Sequence, residues 1–112
     1  MTFEQLQEKV LSWAKDKDLL HSENADKQFM KFIEEVFEFK TEMDMLDNCG
    51  ESLMMINLEH VKDEMGDIFV TLIILCEQIG IDPEECLSMA YEKIKNRRGK
   101  TLHGTFVKEE DL

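Results

Sequence analysis

Lys62-Asp63-Glu64-Met65-Gly66-Asp67-Ile68-Phe69-Val70-Thr71-Leu72-Ile73-Ile74-Leu75-Cys76 is the stretch that decides the fold. From Met65 to Cys76 only Asp67 carries a charge, and apolar side chains fall on every side of a helical wheel. A helix apolar all round, in a chain otherwise rich in charge, is expected to be a buried central helix. An unpaired carboxylate is costly in such surroundings, so Asp67 calls for an ionic partner, a proton or a metal. Glu64 lies three residues earlier, on the same face one turn back. Upstream, Glu34-Glu35-Val36-Phe37-Glu38 repeats that spacing in Glu35 and Glu38. Two helices that each offer two carboxylates at i, i+3 can line one oxygen-rich site.

Working outward, the start and stop signals place four helices. The first runs from Phe3 to about Lys17, with Thr2 as N-cap and Gln5 completing a capping box. Its apolar stripe is Phe3, Leu6, Val10, Trp13 and Ala14. The second runs from about Ala25 to Leu46 after an Asn24 or Ser22 cap, and Asn48-Cys49-Gly50 breaks it. Phe29, Phe32, Ile33, Val36, Met43 and either Phe37 or Phe39 form its apolar face, with Glu34, Glu35, Glu38 and Glu42 on the opposite side. The third runs from about Leu53 to Gln78, with Gly80 just past its end. Asp82-Pro83-Glu84-Glu85 opens the fourth, which should turn Cys86, Leu87, Ala90, Tyr91 and Ile94 inward and end near Arg98. Residues 100–112 read as a C-terminal tail anchored by Phe106 and Val107. The expected class is all-α: a single four-helix bundle-like domain over residues 1–112, completed by oligomerisation, because so short a chain buries a limited core.

The composition narrows the partners. Twenty-five acidic against thirteen basic residues in 112 give a net charge of −12. That excess argues against a nucleic-acid duplex or an anionic membrane as the main partner. The cysteines, Cys49, Cys76 and Cys86, are odd in number and form no CxxC, which fits a reduced cytoplasmic protein better than a secreted disulfide framework. No signal-peptide pattern opens the chain, and the Ile68–Cys76 apolar run is too short to span a membrane.

Each charged constellation has two readings. Helix-two acids alone would most often be a solvated face, but pairing with Glu64 and Asp67 on an apolar helix favours a metal. Mg²⁺ prefers oxygen ligands and is held by a few carboxylates together with substrate phosphates, with Mn²⁺ as an alternative ion. Five basic residues crowd into Lys93-Ile94-Lys95-Asn96-Arg97-Arg98-Gly99-Lys100. They complement a helix C-terminus, or Lys93, Asn96 and Arg97 clamp phosphate. Lys31 is either an intrahelical partner of Glu34 and Glu35 or a phosphate ligand. Trp13 is either core or a stacking surface for a base. His60 lies four residues before Glu64, yet no ExxH motif supports a di-iron bundle.

Lys31-x-x-Glu34-Glu35-x-x-Glu38 followed by Glu64-x-x-Asp67 in a Gly-Asp-Ile-Phe context resembles the EExxE…ExxD signature of the MazG-like all-α nucleoside triphosphate pyrophosphohydrolases. The resemblance extends from the Trp13 helix to the basic end of helix four. It implies Mg²⁺-dependent hydrolysis of a (deoxy)nucleoside triphosphate to the monophosphate and pyrophosphate, with house-cleaning of the nucleotide pool as a role. By the same resemblance, Glu35, Glu38, Glu64 and Asp67 are metal ligands and Glu34 orients water. Lys31, Trp13, Lys93, Asn96 and Arg97 become candidates for substrate contact, and the assembly is a homodimer or homotetramer. A non-catalytic helical dimer, serving as an interaction or regulatory module, is the alternative. The Met-rich Leu53-Met54-Met55-Ile56 patch has no assignment under either reading.

Overall fold

The computed structural model describes all 112 residues as two compact units, Met1–Ile81 and Asp82–Leu112. The first contains α1 (Phe3–Asp16), a 3₁₀ turn over Ser22–Asn24, α2 (Ala25–Asp47) and α3 (Glu51–Ile79). The second contains α4 (Pro83–Ile94), strands β1 (Gly99–Leu102) and β2 (Thr105–Lys108), and a terminal 3₁₀ turn over Glu109–Asp111. Four α-helices thus dominate, and the all-α class is the observed one. No helix is long and apolar enough to cross a membrane.

Local signals explain the helix ends. Thr2 accepts a hydrogen bond from the Gln5 backbone N–H at 3.1 Å, while the Gln5 side chain accepts from the Thr2 N–H at 2.8 Å. This is the reciprocal capping box that the sequence predicts. Asp82 likewise accepts from the Glu84 N–H at 3.1 Å, with Pro83 at the first helical position. Asn24 occupies the N-cap of α2 but makes no side-chain cap bond. The 3₁₀ turn leads the chain into that helix instead.

Helices α2 and α3 form an antiparallel pair joined by the short turn at Asn48–Gly50. As numbering rises along α2 from Gln28 through Glu42, the partner on α3 falls from Thr71 to His60. Helix α1 packs on α3, where Phe3 and Phe69 meet edge to face at 5.7 Å. The buried centre is small: Ala14 with Ile73, Ile74 and Cys76, flanked by the buried Thr71 and Gln78. Gln78 ties in the α1–α2 connection, its Nε2 donating to the Leu19 carbonyl at 2.8 Å.

Three expectations need correction. Helix α3 is enclosed over Val70–Cys76, where every residue is buried or half-buried, but not along its whole apolar run, since Phe69 remains 43% exposed in the single chain. The enclosed side of α2 is mixed rather than purely apolar: Glu35 is the one buried residue of that helix and Phe32, Ile33, Phe39, Glu42 and Met43 are half-buried, whereas Phe29, Val36 and Phe37 are exposed. In α4, Cys86, Leu87, Tyr91 and Ile94 are exposed rather than turned inward.

The segment expected to be a tail is a hairpin. Gly99 pairs with Lys108 and Leu102 with Thr105 in antiparallel register. The two-residue connection places both His103 (φ 52°) and Gly104 (φ 79°) in the left-handed region. This is the pattern of a type I′ turn, whose twist matches paired strands, and glycine adopts the second position without steric cost. Helix α4 therefore stops at Ile94, four residues short of expectation, so that the chain can turn into β1.

Candidate metal and nucleotide site

The antiparallel register brings the two acidic pairs face to face. Carboxylate oxygens of Glu35, Glu38 and Glu64 lie within 4.8 Å of one another, and so do those of Asp63, Glu64 and Asp67. The two groups share Glu64, which joins them into one continuous acidic surface. Asp63 was not singled out in the sequence, because beside Lys62 it looks like any solvated helix residue. Glu34 belongs to neither group; it is exposed and paired with Lys31 at 3.5 Å.

Glu35 is the most enclosed of these acids, at 6% exposure. One carboxylate oxygen is 3.2 Å from Lys31 Nζ, while Oε2 is buried without a hydrogen-bond partner. Glu64 Oε2 is likewise buried and unpartnered. Buried acceptors left unpaired are rare, and each costs on the order of 1–3 kcal/mol. Two such atoms on facing helices, in residues whose carboxylates come within 4.8 Å of each other and offer only hard oxygens, fit a divalent cation such as Mg²⁺ or Mn²⁺. Further along the pair, Glu42 Oε2 is also buried without a hydrogen bond, 3.7 Å from His60 Nδ1.

The electrostatics carry the mark of uncompensated negative charge. Glu38 has its pKa raised chiefly by a hydrogen bond with Glu35 and then by that group's charge. Glu64 is raised first by burial and then by the charges of Glu38, Asp67, Glu35 and Asp63. Asp67 is raised by burial, then by Glu35 and Asp63, against a lowering contribution from Lys31. The Lys31 ammonium is held above its usual range by its contact with Glu35. One lysine therefore serves at least four carboxylates.

Beside the acids lies an open cavity of about 270 Å³, lined among others by Trp13, Leu19, Gln28, Lys31, Glu35 and Asp67. Trp13, Lys31, Glu35 and Asp67 are thus brought together from three helices. Gln28 was missed; an uncharged amide within an amphipathic helix gives no signal of its own. Lys93, Asn96 and Arg97 lie in the second unit. Lys93 is in the last turn of α4, but Asn96 and Arg97 follow the end of that helix. The helical spacing that placed all three on one face therefore does not apply.

Residues 19–102 match the MazG nucleotide pyrophosphohydrolase domain, three quarters of the chain. An uncharacterized 18.2 kDa protein from the rep-hol intergenic region of Haemophilus phage HP1 (strain HP1c1) is 32% identical over 79 residues. That alignment covers 70% of this chain and 42% of the phage protein, so the chain spans well under half of its relative's length. No solved structure matches.

Proposed function

The chain belongs to the MazG nucleotide pyrophosphohydrolase family, and from that premise we propose that it hydrolyses (deoxy)nucleoside triphosphates to the monophosphate and pyrophosphate. The observation that carries this reading is that Glu35 and Glu64, on facing helices, bring carboxylate oxygens within 4.8 Å of each other and each leaves a buried Oε2 without a hydrogen-bond donor. Glu35, Glu38, Glu64 and Asp67 would hold Mg²⁺, with Asp63 as a further donor. When bound, such an ion neutralises phosphate charge and lowers the pKa of coordinated water. The chain's own contribution is to pre-assemble the carboxylates on two rigid helices. Burial of Glu35 and Glu64 keeps water away from the innermost oxygens, which strengthens every charge interaction there. Lys31 balances part of the acidic charge and would meet a phosphate oxygen. Glu34, exposed and beside Lys31, is the candidate for orienting the attacking water.

Trp13 offers an indole face to the base; Lys93, Asn96 and Arg97 are candidates for substrate contact by the family resemblance alone. The active form on this reading is a homodimer or homotetramer in the cytoplasm. Exposed Phe37 (67%) and Met55 (74%) support a second copy, since a lone chain rarely leaves so much apolar surface wet. The Leu53–Ile56 patch then serves as interface, and nucleotide-pool house-cleaning is the role.

Pyrophosphate release from a panel of standard and modified (d)NTPs, with Mg²⁺ and with EDTA, tests the reading. Mg²⁺-dependent release that disappears in folded Glu38→Gln and Asp67→Asn variants is expected. Silence across the panel, with no thermal stabilisation by Mg²⁺, would favour a non-catalytic helical dimer.

A further inference from the structure

We propose that Gln78 is a positioning residue for the nucleotide cavity: buried behind the wall, it holds Leu19 in place beside Trp13, and the fold gives up stability to keep it there. The inference rests on the reading of the 270 Å³ cavity as a nucleotide site and adds to it a residue on which the affinity of that site depends.

Leu19 reaches the cavity through the end of α1. The Asp18 N–H donates to the Lys15 carbonyl at 3.0 Å and the Leu19 N–H to the Ala14 carbonyl at 2.9 Å, with Asp18 in the left-handed region at φ 59°. This is a Schellman ending, in which the second residue past the cap bonds back to the last turn of the helix. Leu19 and Trp13 line the cavity together, with Ile74 of α3. Glycine most often takes the left-handed position of such endings, because a Cβ is strained there. Here an exposed aspartate occupies it. The helix ending thus carries a conformational cost of its own, and a tie from elsewhere in the fold helps to hold it.

Gln78 supplies that tie from α3. Its Nε2 donates to the Leu19 carbonyl at 2.8 Å, across 59 residues of sequence. Turned over, the amide would set Oε1 against the carbonyl oxygen, acceptor against acceptor. With Nε2 so engaged, Oε1 is buried without a hydrogen-bond partner, in a residue only 6% exposed. An orphaned buried acceptor destabilises a fold. The Leu19 carbonyl does not depend on this bond for satisfaction, because it also accepts from the His21 N–H at 2.9 Å. An apolar side chain of similar length would therefore suit the folded state at least as well. It would not hold the Leu19 backbone against α3, and one wall of the cavity would lose its fixed position. A wall ordered in advance binds more tightly than one that must be ordered by its ligand.

The test is a double-mutant cycle on the full chain, Gln78→Met with Leu19→Ala, read by Tm and by the kinetics of pyrophosphate release from the (d)NTP panel with Mg²⁺. In Gln78→Met the Tm should hold or rise and KM should increase about fivefold. The kcat should stay within about twofold, because a wall that contacts ground state and transition state alike acts on KM alone. Leu19→Ala should raise KM by itself, and adding Gln78→Met to it should raise KM little further, since the bond acts through that side chain. An unchanged KM in Gln78→Met overturns the proposal. So does a rise in KM that comes with a lowered Tm or a matching loss of kcat, which marks a merely structural role, and so does a full fivefold effect in the Leu19→Ala background. If the native chain turns over none of the panel, the proposed reaction falls. The Kd of the same nucleotides, read from the indole N–H NMR signal of the single tryptophan, then replaces KM. Weaker binding by Gln78→Met would sustain the positioning role without the reaction, and a native chain that binds none of the panel would end both.

Discussion

Replacing Glu35 by glutamine should stabilise the metal-free protein and abolish its response to Mg²⁺. The side chain keeps its shape and loses one negative charge from the most enclosed point of the site. A unit charge 4.8 Å away, the outer limit for Glu38 and Glu64, repels it by about 1 kcal/mol at the dielectric of water and about 3.5 kcal/mol at an effective value of 20. The amide also supplies an N–H where the buried Oε2 has no partner, removing a further unsatisfied acceptor. Against these gains stands the pairing with Lys31, whose ammonium is half exposed and contributes about 0–1 kcal/mol. The net expectation is about 1–3 kcal/mol of added stability in EDTA near neutral pH. For a chain of this size that is a rise in Tm of about 4–12 °C. Thermal melts followed by circular dichroism, in EDTA and then in excess Mg²⁺, read both effects. The native chain should gain stability from Mg²⁺, and Glu35→Gln should gain little. A variant that melts lower than the native chain in EDTA, or that keeps the full Mg²⁺ shift, would refute the reasoning.

The raised carboxylates fix the sign of the pH dependence: Glu38, Glu64 and Asp67 bind protons more readily folded than unfolded. Their contribution is fully present below the ordinary carboxylate range and is lost as pH rises through the raised values, so the metal-free Tm should climb as pH falls from neutral. Mg²⁺ should flatten that slope, which a pH series of melts would show. Thr2→Ala removes the capping box of α1 and should cost about 1 kcal/mol, read from urea unfolding. Gly99→Ala would drive a Cβ to 2.1 Å from the Val107 carbonyl oxygen. Hydrogen exchange should then show loss of protection in β1 and β2 while α2 and α3 keep theirs.

Much of this molecule is legible in its residues because the helix ends carry strong local chemistry. Thr2 with Gln5, and Asp82 with Pro83, mark their helices to within a residue. The carboxylate pairs could also be read, because i, i+3 spacing survives whatever the helix packs against. Which face of α2 meets α3 could not. Hydropathy says that Phe29, Val36 and Phe37 should leave water, but not what they should meet. In the single chain, Glu35 is the buried residue of α2, with Phe32, Ile33, Phe39 and Met43 half-buried around it. The hairpin escaped notice because its strands are four residues long and its turn is His103-Gly104 rather than the familiar Asn-Gly. Gln28 was invisible for a related reason: its significance lies in a partner across the helix pair, Thr71, whereas Asp63 meets Glu64 and Asp67 on its own helix.

The central claim is that the acidic surface between α2 and α3 directs hydrolysis between the α and β phosphates. Phosphorus-31 NMR of a (d)NTP incubated with the protein and Mg²⁺ tests it most directly, because the products name the bond that breaks. The account predicts nucleoside monophosphate and pyrophosphate in equal amounts, and no turnover with Glu38→Gln. Nucleoside diphosphate and orthophosphate, or undiminished turnover by that variant, would contradict it.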